Sequence, residues 1–247
     1  MIRDRRARGQ TLFIAAGGDG TVNHVIQGVA NTEAAFAVIP VGTYNHFARD
    51  LEIPLDWREA LQVAAGRNER QVDAARVNER LFVNNVSLGL YPELVARREE
   101  RGRDDPRWKA RLLAFSATMR KYQHVSLTID SEHHHEVIRT HVFMVSNNSY
   151  DLTRMGVEAS RQTLEEGRLS VYWLPHMPRI ALMRHAGHYL AGKVQQSEGF
   201  RSFRTRRMKV QSPRPSLRLG IDGELFAMQT PLTITSMPRS LLVKVPG

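Results

Sequence analysis

Two glycine-rich turns contain the residues of this chain best suited to chemistry on a phosphate. The first turn, Gly17-Gly18-Asp19-Gly20-Thr21, follows an apolar run at residues 11–16 that has the length of a buried strand. Glycines let a ligand approach the backbone closely, and the amides at the start of a helix attract anions. The turn therefore predicts an anion site, and a plain strand-to-helix turn capped by Asp19 or Thr21 is the alternative.

Apolar residues after the first turn recur with the spacing of an amphipathic helix. They are Val22, Val25, Ile26 and Val29. The turn thus joins a strand to a helix, but it matches neither of two common nucleotide-binding motifs. No Gly-Lys-Ser/Thr follows it, and Asn23 stands where the third glycine of a dinucleotide-binding fingerprint would lie.

A second turn of the same kind follows the next predicted strand, at residues 35–39. It reads Pro40-Val41-Gly42-Thr43-Tyr44-Asn45 and precedes a helical segment at residues 46–51. Strand, helix and strand at this spacing predict a right-handed βαβ unit, in which both turns open at the carboxyl edge of one sheet. We expect four polar side chains to line a phosphate and ribose pocket there: Thr21, Asn23, Thr43 and Asn45.

The Asp222-Gly223-Glu224 sequence lies between two apolar runs near the end of the chain. Taken alone, Asp-Gly in that position is the strongest short signal for a β-hairpin, so it predicts a turn. Other chemistry finds little support in the sequence. The chain has no cysteine, which excludes disulfides and Cys nucleophiles, and the Gly-x-Ser-x-Gly pattern of serine hydrolases is missing.

Together these motifs resemble the diacylglycerol kinase catalytic domain family, which is shared by bacterial lipid kinases and by sphingosine and ceramide kinases and is related more distantly to NAD kinases. The resemblance rests first on residues 17–23 and on Pro40, Gly42, Thr43 and Asn45 with the residues up to Pro54. It continues through residues 72–78, 82–90, 164–171 and 222–224, and so covers essentially the whole chain.

The resemblance implies an ATP-dependent lipid kinase that phosphorylates a hydroxyl of diacylglycerol or a similar lipid, with Mg²⁺ as a further cofactor. Glu224 matches the position assigned as general base, and Asp222 and Asp19 are the other carboxylates expected to act in catalysis. The nucleotide is expected to contact the two turns: Gly17, Gly18, Asp19, Gly20, Thr21, Val22, Asn23, Thr43 and Asn45.

Bacterial members of the family bind a structural metal at an Asp-Gly turn, where this chain has Glu165-Glu166-Gly167. The aligned positions are Thr163, Glu166 and Arg168, and an ordinary exposed turn is the alternative. Three consecutive histidines, His133-His134-His135, point in different directions on an extended chain, so they predict a solvated turn.

The chain changes character after a helix that we place between Asp56, with Glu59 in a capping box, and Gly66. Short strands then dominate, at residues 71–77, 81–86, 125–130, 137–146, 169–174, 208–211, 217–221 and 232–235, with a helix at residues 178–192. We predict an α/β nucleotide-binding domain at residues 1–70 and a larger β-sandwich at residues 71–247. The last residues are expected to return to the first domain, and the resemblance implies an active site in the cleft between the two.

The net charge of +10 favours anionic partners. Residues 107–122 alternate bulky apolar residues with Arg and Lys, as in a helix that lies on an anionic membrane, although packing in the core explains the same stripe. Specific nucleic-acid binding is not expected, because no zinc-finger or RNP-like motif accompanies the charge. We therefore expect a cytoplasmic protein that contacts the inner face of the membrane peripherally.

The family's first strand and phosphate loop would lie before the Gly-Gly-Asp-Gly-Thr turn, which this chain reaches by residue 17. We therefore expect the first domain to lack its amino-terminal strand and helix, which would expose an edge strand and favour a homodimer. Two alternatives follow: a catalytically impaired protein that binds lipid or nucleotide, and an enzyme of the NAD kinase type.

Overall fold

A computed structural model describes residues 2–89, 124–149, 163–178, 181 and 200–247. The basic helix predicted at residues 107–122 lies outside the described residues, as does nearly all of the helix predicted at residues 178–192. No helix in these described ranges is long and apolar enough to span a bilayer.

The first part of the chain is the predicted βαβ unit. Helix α1 (Ile2–Ala7) is followed by β1 (Leu12–Gly17), α2 (Asp19–Val29) and β2 (Ala35–Pro40). Strands β1 and β2 are parallel and in register from Leu12 opposite Ala35 to Gly17 opposite Pro40. Both glycine-rich turns therefore leave the same edge of the sheet, as the sequence predicts.

Two further helices complete this layer: α3 (His46–Asp50) and α4 (Trp57–Ala65). Asp56 caps α4, because its carboxylate accepts hydrogen bonds from the backbone amides of Arg58 and Glu59 at 2.9 and 3.2 Å. The predicted helix start is confirmed.

The remaining described elements are all strands. They are β3 (Glu69–Val77), β4 (Arg80–Phe82), β5 (Asn85–Gly89), β6 (Val125–Ser131), β7 (His135–Asn147), β8 (Leu169–Pro175), β9 (Arg201–Thr205), β10 (Arg207–Gln211), β11 (Ser216–Ile221), β12 (Glu224–Gln229) and β13 (Leu232–Lys244). Within this set the strand order is β1-β2-β13-β10-β6-β7-β5-β11-β12, while β3 and β4 pair beside β13, and β8 and β9 beside β7. An α/β layer followed by a larger β-rich part is the predicted fold class.

Strand β13 joins the two parts of the molecule. Its first half pairs with β10, and its last residues run parallel to β2, with Leu242 opposite Ala35 and Val243 opposite Phe36. The sequence predicts only residues 232–235 as a strand, because Pro238 and Arg239 interrupt the pattern. Arg239 has a φ of 50°, and the pairing with β3 shifts register between Met237 and Leu241. The last residues thus return to the first sheet.

The apolar side chains form two buried clusters that meet in β3. Val72 and Ala74 pack with α2, β2 and α4, whereas Ala75 and Val77 pack with the β-rich part. The division between the clusters therefore runs through one continuous strand. The domain limits at residues 70 and 71 remain a prediction.

Strand β1 lies at the end of the strand order and carries exposed apolar side chains. Leu12 is 41% exposed and Ile14 is 48% exposed. The predicted homodimer is not tested by these contacts and stays a prediction.

Candidate active site

The two glycine-rich turns touch each other at the edge of the sheet. A Cβ atom added at Gly42 would lie only 2.3 Å from the Cα atom of Gly18 and 2.7 Å from its backbone nitrogen. Only glycine at position 42 allows the two backbones to pack this closely. The backbones of the two turns therefore contact each other, as predicted.

Asp19 fixes this contact by reaching from the first turn to the second. Its carboxylate accepts hydrogen bonds from the backbone amides of His46 and Phe47, each at 3.2 Å. These are the first amides of α3, which carry no partner within their own helix. Asp19 thus acts first as a brace between the turns, and this role was not visible in the sequence.

The second turn is closed by Asn45, which is buried and has a left-handed φ of 53°. Its side-chain amide donates to the carbonyls of Pro40 and Gly42, and its side-chain oxygen accepts from the Gly42 amide. Asn45 therefore shapes the turn, while Thr43 and Val41 are exposed to solvent.

Asp222 and Gly223 form the predicted turn between β11 and β12. Both have a positive φ, 47° and 91°, and Ile221 pairs with Glu224 across them. These are the features of a two-residue hairpin of type I′. The predicted turn is therefore confirmed, and it contains two of the three residues of the Asp-Gly-Glu sequence.

The carboxylate of Asp222 is turned inward and held by four donors. The backbone amides of Val83, Asn84 and Asn85 donate at 2.9, 2.8 and 3.0 Å, and the side chain of Asn23 donates at 2.8 Å. Burial raises the pKa of Asp222 above its ordinary value, and the four hydrogen bonds act in the opposite direction. This carboxylate fixes the hairpin against α2.

Glu224 points the other way, toward the first turn. A Cβ atom added at Gly20 would lie 2.7 Å from Oε1 of Glu224, so the carboxylate rests directly on the glycine backbone. Its other oxygen, Oε2, lies 3.4 Å from Nη2 of Arg80, and half of the Glu224 side chain is exposed. The predicted general base is therefore at the start of α2 and accessible to a ligand.

The side chains of Val22 and Asn23 face the protein interior. Val22 belongs to the buried cluster under α2, where it contributes packing. Asn23 is 1% exposed and donates to Leu81 as well as to Asp222. Any contact of Val22 with a nucleotide would come from its backbone, while the exposed Thr21 packs on Gly17 at the mouth of the turn.

Comparison with known proteins identifies this part of the molecule. The family model described as the diacylglycerol kinase catalytic domain matches residues 1–77. Residues 1–77 are therefore similar to the diacylglycerol kinase catalytic domain. A diacylglycerol kinase from Staphylococcus aureus (strain JH9) is 44% identical over 85 residues, and one from Staphylococcus saprophyticus is 41% identical over 85 residues. The match covers 34% of this chain and about a quarter of the length of each relative, 27% and 28%.

Solved structures extend the likeness to the whole fold. A diacylglycerol kinase from Bacillus anthracis str. Sterne superimposes with a TM-score of 0.67 and 18% sequence identity, covering 96% of this chain and 76% of that one. Yeast NADH kinase superimposes with a TM-score of 0.50 and 12% identity, covering 96% of this chain and 62% of that one. The diacylglycerol kinase fold is thus shared along the described chain.

The turn predicted to hold a structural metal is built from protein contacts. Oε2 of Glu166 accepts a hydrogen bond from Ser149 at 2.8 Å and lies 3.6 Å from Nη1 of Arg204, so a cation already faces this carboxylate. No group of three metal-binding His, Cys, Asp or Glu side chains is found in the described ranges. The metal set of Thr163, Glu166 and Arg168 remains a prediction.

Asp73, in β3, holds this same turn to β13. Its carboxylate accepts from the backbone amides of Gly167 at 2.6 Å and Arg239 at 2.9 Å. His133 and His134 lie in the turn between β6 and β7, whereas His135 is already the first residue of β7. His134 lies beside Glu136, and His135 beside Asp130. Neither feature brings a further group to the site.

Sequence reasoning missed Arg80, which lies beside the predicted base. Its guanidinium contacts Glu224, Oδ1 of Asn23 at 3.3 Å and the ring of Phe226, whose centroid is 3.8 Å from the guanidinium carbon. No motif marks Arg80, because its place in the site depends on how the β3–β4 hairpin meets α2. The only available signal was its nearness in sequence to the Phe82-Val83-Asn84 segment of the resemblance.

Proposed function

We propose that this protein is an ATP-dependent lipid kinase that transfers the γ-phosphate of ATP to a hydroxyl of diacylglycerol or a similar lipid. The observation that carries the proposal is the contact between Glu224 and Gly20. It brings a carboxylate to the glycine turn at the start of α2, where backbone amides suit a phosphate. The family match over residues 1–77 supports the same reaction.

The proposed reaction is an in-line phosphoryl transfer. Glu224 accepts the proton of the lipid hydroxyl while that oxygen bonds to the γ-phosphorus and the bond to the β,γ-bridging oxygen breaks. Asp222 keeps Glu224 in place because its four hydrogen bonds fix the hairpin that carries both residues. A positioned base of this kind contributes roughly a hundred- to ten-thousand-fold in rate.

Mg²⁺ is expected to enter together with the nucleotide. The described ranges hold no ready group of three metal-binding side chains, and Mg²⁺ commonly binds through one or two carboxylates and the phosphates of its substrate. Asp19 is the carboxylate of the glycine turn that fits this use, since Glu224 is kept for the proton of the hydroxyl. The ion would offset the negative charge of the transferring phosphate.

The lipid substrate would reach this site from an anionic membrane surface. The net charge of +10 favours such a surface, and the open side of Glu224 leaves room for an acceptor hydroxyl. Contact with the membrane is part of the proposal and is tested through the dependence of activity on anionic lipid in the vesicles.

The reaction is tested by following transfer of the γ-phosphate of ATP to dioleoylglycerol in mixed vesicles of neutral and anionic phospholipid. The wild type should phosphorylate the lipid, and Glu224→Gln should lower kcat at least roughly a hundred-fold while nucleotide binding persists. Asp130→Asn, on the far strand β6, is the matched control and should leave kcat unchanged.

Two outcomes would overturn the proposal. Phosphorylation of NAD alone, when NAD and diacylglycerol are offered side by side, would favour an enzyme of the NAD kinase type. Nucleotide binding without transfer to any lipid hydroxyl would favour the binding-protein alternative.

A further inference from the structure

Arg80 is held at the candidate active site by contacts on three sides. Nη2 lies 3.4 Å from Glu224 and 3.3 Å from Asn23, and the guanidinium lies over the ring of Phe226. Glu224 and Phe226 are two residues apart on β12 and therefore share one face of the strand. The guanidinium is thus supported by the same hairpin that carries the predicted base.

These contacts leave much of the hydrogen-bonding capacity of Arg80 unused. A guanidinium has five N–H donors, and within the described residues Nε of Arg80 is buried without any hydrogen-bond partner. The contact with Glu224 is longer than the roughly 2.7–2.9 Å of a strong charge-assisted hydrogen bond. Arg80 is therefore held beside the site, but its contact with the carboxylate of Glu224 is weak.

The position of Arg80 relative to the glycine turn gives this capacity a use. Oε1 of Glu224 rests on Gly20, and Oε2 of the same carboxylate faces Arg80. The glycine turn and the guanidinium therefore contact the two different oxygens of one carboxylate. A planar, permanently charged fork suits the oxygens of a phosphoryl group better than a single carboxylate oxygen.

We propose that Arg80 is a catalytic residue that exchanges its contact with Glu224 for the γ-phosphoryl group of the bound nucleotide. This exchange stabilises the charge on the transferring group and also frees Oε2 of Glu224 to accept the proton of the acceptor hydroxyl. Arg80 stays protonated throughout: the phosphoryl group moves to the acceptor oxygen, the proton moves to Glu224, and ADP leaves. The inference rests on the proposed function for its rate effect, but not for its effect on nucleotide binding.

The first test compares the affinity for ATP and ADP, because only ATP carries the γ-phosphoryl group. Calorimetric titration of the full chain with each nucleotide and Mg²⁺ should show that Arg80→Ala weakens ATP binding roughly tenfold more than ADP binding. Arg207→Ala removes an exposed arginine from another strand, β10, and should change neither affinity. An ATP-to-ADP affinity ratio equal in wild type and Arg80→Ala would overturn the inference.

The second test measures phosphoryl transfer to dioleoylglycerol. Arg80→Ala should lower kcat at least roughly a hundred-fold, as the loss of a charge-stabilising arginine does, and added guanidinium ion should restore part of that loss. Arg80→Lys keeps the charge, so its kcat should lie between those of the wild type and Arg80→Ala. Thermal unfolding of each variant confirms that it is folded before its rate is compared.

The two tests separate this inference from the proposed function. A wild type that transfers no phosphate to lipid refutes the lipid kinase, and the nucleotide titrations then still decide whether Arg80 contacts the γ-phosphoryl group. An active wild type whose Arg80→Ala variant keeps its kcat within about twofold refutes the role of Arg80 alone.

Discussion

The side-chain amide of Asn23 donates a 2.8 Å hydrogen bond to Asp222 across 199 positions of sequence. Asn23 lies on the first turns of α2, and Asp222 lies in the hairpin between β11 and β12. This bond ties the glycine turn to the hairpin that carries Glu224. The geometry of the candidate site therefore depends on a buried hydrogen bond between two distant parts of the chain.

Removing this bond should weaken the fold and the site together. In Asn23→Ala the carbonyl of Leu81 and one oxygen of Asp222 lose a donor, which costs roughly 1–3 kcal/mol in the free energy of unfolding. Denaturation in urea measures this change. Asn68→Ala, an exposed substitution, is the control and should stay within about 0.5 kcal/mol of the wild type. An equal stability of both variants would contradict the role of Asn23.

The raised pKa of Asp222 predicts a pH-dependent difference between wild type and Asp222→Asn. The folded protein holds the proton of Asp222 more tightly than the unfolded chain does, in which the pKa of this group is near 3.8. The protonated carboxyl of Asp222 therefore contributes its full stabilisation below pH 3.8. This contribution is lost as the pH rises through the raised pKa of Asp222 in the folded protein. The free energy of unfolding of the wild type, minus that of Asp222→Asn, should fall with pH in this window. Urea denaturation across pH measures it, and a difference that rises with pH would contradict the assignment.

The elements around the glycine turns could be predicted because their signals are local. Alternation of apolar residues, two glycine-rich turns and the Asp56 cap each act within a few positions. The strand predicted at residues 81–86 shows where local signals fail. It divides into β4 and β5, because the amides of Val83 and Asn84 donate to Asp222 instead of to a neighbouring strand. That partner lies far away in the sequence.

Some roles of the site residues could likewise be predicted from the sequence, whereas others became visible only in the structure. Glu224 could be placed from the family resemblance, and the structure locates it on Gly20. Asn23 and Asn45 donate from their side-chain amides to other groups of the protein, a role that the sequence did not indicate. Their contacts with a nucleotide stay a prediction. Arg80 could not be found, because its contacts arise only when the β3–β4 hairpin meets β12.

Gly42→Ala should separate the two glycine turns. Its Cβ atom would collide with the backbone of Gly18, and no rotation of a side chain can relieve this contact. Overpacking of this kind costs roughly 1–3 kcal/mol in the free energy of unfolding, and the displaced turn should also bind nucleotide more weakly. Urea denaturation and titration with ATP measure the two effects. Unchanged nucleotide affinity in a destabilised variant would show that the second turn does not contribute to the site.

Gly20→Ala should damage the site without damaging the fold. Gly20 lies within α2, where alanine is favoured over glycine by roughly 0.5–1 kcal/mol, so stability should be kept or slightly increased. The new methyl group would lie only 2.7 Å from Oε1 of Glu224 and would push the carboxylate away from the turn. A displacement of about 1 Å can cost on the order of a hundred-fold in rate, and we expect a loss of this size in kcat for lipid phosphorylation.

Gly28→Ala provides the matched control for this substitution because it lies in the same helix. The nearest atoms to its methyl group belong to the side chain of Ile2, at 2.6 and 2.8 Å, so Ile2 would have to shift. Gly28 lies eight positions further along α2 than Gly20, so kcat should stay close to that of the wild type. A Gly20→Ala variant that is as active as Gly28→Ala would contradict the placement of Glu224 as the base. Loss of activity confined to Gly20→Ala, in a protein of undiminished stability, would locate the chemistry at the contact between the glycine turn and this carboxylate.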